Sequence, residues 1–196
     1  MNPHAPLILQ PLIQSREFLQ LMEALHARER ILGAYGLIDS QKSHFAAALQ
    51  HHLGGQLLLL TETEIQARQL AEDLNFYLGP AALPFPARQP VLHDAVASSV
   101  STGEERLKAL QRLTAQQPAI ITAPIDALLM KLPPPALFRQ LQLTFTLGET
   151  LARDHLLTTL TAQGHHRVDQ VEGKGEYSIR GDILDIFSPT EETPCR

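Results

Sequence analysis

An alternation of short apolar runs with stretches of helical spacing is the feature that most constrains the fold of this chain. Residues 31–35, 56–60 and 119–122 have the length and composition of strands, and a stretch with apolar side chains at helical spacing follows each of them. The run at 56–60 contains four consecutive leucines, which predicts a strand covered on both faces. Repeated strand–helix units of this kind predict a parallel α/β sheet.

Start signals mark the helices of this pattern. Residues 15–30 place apolar side chains near one helical face, which predicts a leading helix. Thr63 with Gln66, and Ser101 with Glu104, have the spacing of capping boxes and predict two further helix starts.

Proline divides the chain into two parts. Residues 83–90 hold three prolines, which predicts a loop or a sheet edge rather than a central strand. The triplet Pro133, Pro134 and Pro135 ends a short helix that begins at Pro124. We therefore predict an α/β domain over residues 1–135 and a small α+β domain over 136–196.

The second part has its own pattern of alternation. Residues 141–146 alternate like a strand, residues 151–162 have helical spacing, and two strand-like runs flank the glycines at 173 and 175. In the predicted hairpin, Tyr177 and Ile179 alternate with Ser178 and Arg180, so one face is expected to be buried and the other polar.

Charge and composition exclude several classes of protein. The formal net charge is -5, which argues against a strong, sequence-independent hold on nucleic acid. No apolar segment approaches the roughly 18 residues that a membrane span requires, so we expect no membrane association. The single cysteine, Cys195, cannot form an internal disulfide, and the chain is expected to be cytoplasmic.

Metal and nucleophile chemistry have no supporting pattern. The histidines at 51 and 52, and at 165 and 166, are adjacent pairs whose side chains point in different directions on a helix or strand. The sequence also lacks a nucleophile elbow with spaced His and Asp partners. We therefore predict neither a metal site nor a catalytic residue.

One loop has the spacing of a phosphate-binding P-loop. Gly36 begins it and Lys42 and Ser43 end it, but Gln41 occupies the position of the second glycine. That glycine lets backbone N–H groups curl around phosphates, so glutamine should distort or fill the nest. The loop is interpreted as a degenerate nucleotide loop that does not bind, or as an ordinary strand-to-helix turn.

Four segments resemble the Mfd and UvrB family of bacterial repair proteins. The most specific covers residues 166–189, and the others are 85–88, 94–99 and 123–135. The similarity extends over most of residues 30–196 and favours the N-terminal UvrB-like region of the transcription-repair coupling factors, since the intact P-loop and the DNA-clamping hairpin of UvrB are lacking. It implies that this chain is a fragment of a longer protein.

The resemblance implies a RecA-like first domain without motor function and a second domain that docks UvrA. By motif position, the basic residues of the docking surface correspond to Arg167, Arg180 and Arg196, and Phe187 is either an apolar anchor or a core residue. Ser178 stands where UvrB is basic.

The function expected on this basis is that of a noncatalytic adaptor that recruits UvrA to a stalled RNA polymerase. This fragment is expected to need no cofactor, whereas the parent protein would use ATP and magnesium through a motor region outside it. RNA polymerase and duplex DNA would bind other parts of that parent. Two alternatives remain: a UvrB-type, helicase-like domain with residual ATP or DNA binding, and direct DNA binding through the small domain.

Overall fold

The computed structural model describes residues 5–88, 96–146, 148, 150 and 152–196. They form two compact units, Met1–Lys131 and Leu132–Arg196. The helices are α1 (Ala5–Ile13), α2 (Arg16–His26), α3 (Asp39–Leu53), α4 (Glu64–Leu78), α5 (Val96–Thr114), α6 (Ile125–Leu128), α7 (Pro135–Gln140) and α8 (Arg153–Ala162). The strands are β1 (Gln56–Thr61), β2 (Ala82–Pro84), β3 (Ala119–Pro124), β4 (His166–Arg167), β5 (Glu176–Arg180) and β6 (Ile183–Phe187).

The first unit contains a parallel sheet of three strands in the order β1-β3-β2. β3 pairs with β1 from Gln56↔Ala119 to Thr61↔Pro124, and every residue of this central strand is buried. The short β2 lies at the other edge, where Leu83 pairs with Ile121. The predicted parallel α/β sheet is confirmed, as is the edge position of the proline-rich segment.

The strand predicted at residues 31–35 is wrong. This segment has no regular secondary structure, and Ile31 and Tyr35 are 91% and 94% exposed. Gly33 and Gly36 weaken a strand here because glycine loses more backbone entropy than other residues and offers no side chain to pack. The third strand of the sheet is instead β2, and the loop at Gly36 lacks the strand that a P-loop requires.

The prediction that β1 is covered on both faces is also wrong. Leu57 and Leu59 pack against the core cluster that includes residues of α3 and α4, but Leu58 and Leu60 are 51% and 49% exposed. The second apolar cluster of this unit includes Ile121 of β3 and Ala109 of α5 but neither Leu58 nor Leu60, so the run of leucines does not indicate burial on both faces.

Helices on one face of the sheet form the main core of the first unit. Phe18 of α2, Ala47 of α3 and Leu74 of α4 are buried with Ile120 of β3. The predicted capping box that begins α4 is confirmed, since the Thr63 Oγ1 accepts the Gln66 N–H at 3.3 Å and the Gln66 side chain accepts the Thr63 N–H at 3.2 Å.

Helix α5 begins at Val96, five residues before the predicted start at Ser101. Ser101 therefore lies inside a helix and does not cap it. The resembling segment at 94–99 begins outside the described residues.

The second unit packs α8 against one face of a small sheet of order β4-β5-β6. β4 and β5 are parallel, so the runs that flank the glycines at 173 and 175 do not form a hairpin. The antiparallel hairpin is β5–β6, whose two-residue turn begins with Gly181 at a φ of +61°, a conformation that glycine adopts without strain. The strand predicted at 141–146 is wrong, because no residue of this segment pairs with a strand among the described residues.

Trypsin is expected to cut first at Lys131, the last residue of the first unit. Lys131 is exposed, and the prolines that follow interrupt both helix and strand. Mass spectrometry of a brief digest should then show two fragments that persist. If cleavage inside either unit comes first, the two units do not resist proteolysis independently.

Candidate functional site

The β5–β6 hairpin divides its side chains between two faces. Side chains of Tyr177 and Ile179 lie on the same face as those of Leu184 and Ile186, as the antiparallel register requires. This face packs against α8 through Leu156, Leu160 and Leu157. The opposite face is therefore the one that the second unit can offer to a partner.

Two arginines meet one carboxylate on that opposite face. The Arg180 Nη2 donates to the Asp185 Oδ2 at 3.2 Å. The Arg196 Nε donates to the Asp185 Oδ1 at 2.7 Å, and its Nη2 donates to the Oδ2 at 3.2 Å. The side chain of Asp185 is only 13% exposed, whereas those of Arg180 and Arg196 are 60% and 68% exposed.

Arg196 reaches this face because the end of the described chain runs beside β6. Cys195 and Ile186 exchange two backbone hydrogen bonds, at 2.9 and 2.8 Å, in an antiparallel bridge. The side chain that follows Cys195 then alternates to the face of Asp185.

Apolar side chains share this face with the arginines. Ile183 pairs with Arg180 across the hairpin and is 48% exposed, and Phe187 follows on the same face two residues after Asp185. Phe187 is half-buried and lies on the face opposite to Ile186, which favours the apolar anchor over the core position. We call the residues Arg180, Ile183, Asp185, Phe187 and Arg196 the docking face.

Arg167 lies apart from this group. In the parallel register of β4 and β5, Arg167 pairs with Tyr177, whose side chain belongs to the face that carries α8. Arg167 is exposed, but its strand position is on the other side of the sheet from Arg180 and Phe187. The structure therefore brings three of the four predicted contact residues together, and the role of all four in binding stays a prediction.

Ser178 lies on the same face as Arg180 and Asp185, but it is covered there. It is 2% exposed, and its Oγ donates to the Asp169 carbonyl at 2.8 Å. The face that was expected to be polar does carry Ser178 and Arg180, but of these two residues only Arg180 is exposed. The alternation of residue types predicted the direction of the side chain, but not that the loop after β4 would cover it.

Local hydrogen bonds fix the carboxylates around the docking face. The Arg196 and Arg180 guanidiniums hold the pKa of Asp185 below its usual range. The backbone N–H groups of Glu172 and Gly173 lower the pKa of Glu176 in the same way, and their hydrogen bonds of 2.9 and 2.7 Å hold the loop that leads into β5.

The loop that resembles a P-loop engages its own polar groups. The Gln41 Oε1 accepts the Ile38 N–H at 3.1 Å. The backbone N–H groups of Gln41 and Lys42 both donate to the Ile38 carbonyl, at 2.9 and 3.0 Å. Gly36 has a left-handed φ of +82°. The N–H groups of Gln41 and Lys42, however, point to the Ile38 carbonyl and not into the space that a phosphate would occupy.

The side chains that a nucleotide would need are also occupied. The Lys42 Nζ pairs with the Asp39 Oδ1 at 2.9 Å, and both side chains are exposed. Ser43 is 1% exposed and donates its hydroxyl to the Ser40 carbonyl at 3.0 Å. Asp39 places a negative charge at the first turn of α3, where a phosphate would otherwise lie.

Among the described residues, no group of three or more His, Cys, Asp or Glu side chains is arranged so that it could hold a metal ion. Within the same residues, no helix has both the length and the apolar character needed to cross a membrane.

Sequence reasoning missed two residues of the docking face, Asp185 and Ile183. Both lie at even spacing from Phe187 along β6, so the period of two was sufficient to place them on its face. The pairing of Asp185 with Arg196 could not be foreseen, because it depends on the bridge at Cys195.

Residues 143–196 match the family model described as the UvrB interaction domain. The chain is 31% identical over 186 residues to a transcription-repair-coupling factor of Bacillus subtilis, which covers 93% of this chain and 16% of the relative. It is 33% identical over 190 residues to that of Myxococcus xanthus, with 92% and 16% covered, and 25% identical over 168 residues to that of Escherichia coli, with 86% and 14% covered. The chain thus spans about one sixth of the length of these relatives.

Proposed function

We propose that this chain, which belongs to the family of the transcription-repair coupling factors and matches their N-terminal region, is a noncatalytic adaptor that docks UvrA through its second unit. The observation that carries the proposal is the coincidence of two findings. The matched interaction domain at 143–196 contains the docking face, and that face presents two exposed arginines beside apolar side chains.

The chemistry of this face suits protein recognition. An arginine offers five N–H donors in a planar fork and binds carboxylates at partly desolvated interfaces. Phe187 and Ile183 add apolar area on the same face as the charges, as in interfaces where an aromatic anchor is surrounded by polar contacts. In the parent protein, this docking would bring UvrA to a stalled RNA polymerase, which would be bound by other parts of that parent protein.

Direct measurement of binding to purified UvrA tests the proposal. We expect the fragment to form a saturable complex with UvrA in calorimetry at physiological salt. A chain with Arg153→Glu should bind equally well, because Arg153 begins α8 and lies away from the docking face. If the unaltered fragment shows no complex at micromolar concentrations, the adaptor function is wrong for this chain.

The first unit is proposed to be a RecA-like support whose nucleotide loop is degenerate and binds no ATP. Three local features support this. The N–H groups of Gln41 and Lys42 donate to the Ile38 carbonyl, Lys42 pairs with Asp39, and Ser43 is buried. The fit to a triphosphate is poor because the phosphate-binding groups would have to break these contacts before binding.

ATP with magnesium is accordingly expected to leave the melting temperature of the chain unchanged. ATP should also leave the melting temperature of the Gln41→Gly variant unchanged, because restoring the glycine removes neither the charge of Asp39 nor its pair with Lys42. Thermal unfolding at millimolar ATP, with Lys42→Ala as the control, measures this. A rise of several degrees that Lys42→Ala abolishes would instead support the nucleotide-binding alternative.

A further inference from the structure

We propose that Asp185 is a positioning residue of the docking face, whose carboxylate holds Arg180 and Arg196 side by side before UvrA arrives. This inference rests on the proposed function, since it concerns how the same face is prepared for its partner.

The carboxylate lies beneath the two guanidiniums rather than among them. Asp185 is 13% exposed, and both of its oxygens accept hydrogen bonds from within the chain. The arginine side chains above it remain more than half exposed. Asp185 is thus poorly placed to contact a partner itself, but well placed to fix the groups that do.

The three residues come from three neighbouring segments. Arg180 ends β5, Asp185 is in the middle of β6, and Arg196 follows the bridge that joins Cys195 to Ile186. Without the central carboxylate, two positive charges would face each other across β6 and their long side chains would sample many rotamers. Ordering them in advance reduces the entropy that binding must otherwise remove.

The two arginines keep donors for a partner. Arg180 gives one N–H to Asp185, and Arg196 gives its Nε–H and one Nη2–H. Since a guanidinium has five N–H donors, each retains at least three that the described contacts with Asp185 leave available. The hydrogen bonds from Arg196 and Arg180 also lower the pKa of Asp185.

A double-mutant cycle separates positioning from direct contact. Affinity for UvrA is measured by calorimetry for the unaltered fragment, Asp185→Asn, Arg180→Gln with Arg196→Gln, and the triple variant. We expect Asp185→Asn to weaken binding about tenfold when both arginines are present, because two rotamer-rich side chains then become ordered only on binding. In the background that lacks the arginines, the same change should have no further effect.

Each other outcome overturns the proposal. Tighter binding by Asp185→Asn would mean that the carboxylate competes with UvrA for the arginines, and unchanged binding would mean that it does not prepare them for docking. An equal loss in both backgrounds would mean that Asp185 acts without them. Failure of the unaltered fragment to bind UvrA would remove the proposed function and the positioning role with it, whereas failure of the cycle alone leaves the adaptor function standing.

A measurement on the unaltered chain covers the case in which Asp185→Asn does not fold. The positioning role predicts a resolved, slowly exchanging Arg196 Nε–H signal in the ¹⁵N NMR spectrum of the free fragment, because this N–H group donates to the Asp185 Oδ1 with an N···O distance of 2.7 Å. An exchange-averaged signal, equivalent to that of other exposed arginines, would show that the arginines are not held before docking.

Discussion

Replacing Arg180 with glutamate is expected to reduce the affinity for UvrA by at least about a hundredfold while the fragment stays folded. At an interface, this change removes the guanidinium donors and also places a negative charge opposite acceptor groups of the partner, a combination worth several kcal/mol. A tenfold change in affinity corresponds to about 1.4 kcal/mol, so the loss should be easy to measure.

Folding should survive because Arg180 contributes little to the packing of its unit. Its side chain is 60% exposed, and it makes one hydrogen bond to Asp185, an ion pair whose arginine is solvated and which therefore adds little stability. Asp185 also keeps its two bonds from Arg196 in this variant. Circular dichroism and the melting temperature should therefore stay near those of the unaltered fragment.

Matched variants give this experiment its controls. Arg153→Glu makes the same charge change on α8 and should bind UvrA normally. Arg167→Glu changes a residue whose strand position is on the other face of the sheet, so we expect a smaller loss than for Arg180→Glu. Normal binding by Arg180→Glu would show that this arginine is a solvated surface residue and that the docking face is assigned wrongly.

Local signals predicted the helices best. The capping box at Thr63 and Gln66 placed the start of α4 correctly, because both of its hydrogen bonds are made within four residues of chain. The false start at Ser101 shows the limit of such signals, since a continuous helix from Val96 overrides the same spacing.

Strands were less predictable because pairing is not a local property. Residues 31–35 and 141–146 have strand-like sequences, but they have no strand partner among the described residues. β2 is a three-residue edge strand ending in a proline, and its place in the sheet depends on β3, which lies more than thirty residues later. Propensity alone does not decide such cases.

The candidate site could be predicted only in part, because the alternation of side chains along a strand is local whereas the pairing of strands is not. The period of two correctly placed Arg180 on the face opposite Ile179, and it was sufficient for Ile183 and Asp185 as well. What it could not give is the separation of Arg167 from Arg180, which follows from the parallel pairing of β4 with β5. The resemblance to a family indicated the candidate contact residues, and the register of the strands determines which of them share a surface.

The largest expected effect on stability is that of Leu160→Ala in α8. Leu160 is 1% exposed, and it forms the buried core of the second unit with only Leu156 and Tyr177 among the described residues. Truncation of a buried leucine costs about 2–5 kcal/mol, through lost burial and the cavity left behind. A unit as small as Leu132–Arg196 has a total stability of only about 3–10 kcal/mol on the usual per-residue scale.

Leu160→Ala should therefore lower the melting temperature of the second unit by roughly ten degrees or more. The matched control is Leu157→Ala, which removes the same atoms from a half-buried position three residues earlier and should lower the melting temperature less.

Differential scanning calorimetry, combined with trypsin digestion, can follow the two units separately. Because the first unit has its own core around Ile120, its transition should persist in the variant. UvrA binding should be lost only at temperatures where the folded signal of the second unit is lost, which distinguishes this variant from Arg180→Glu. If Leu160→Ala melts within about two degrees of the unaltered fragment, a shift far below what a lost buried leucine should produce in a unit of this size, the α8 core does not determine the stability of this unit.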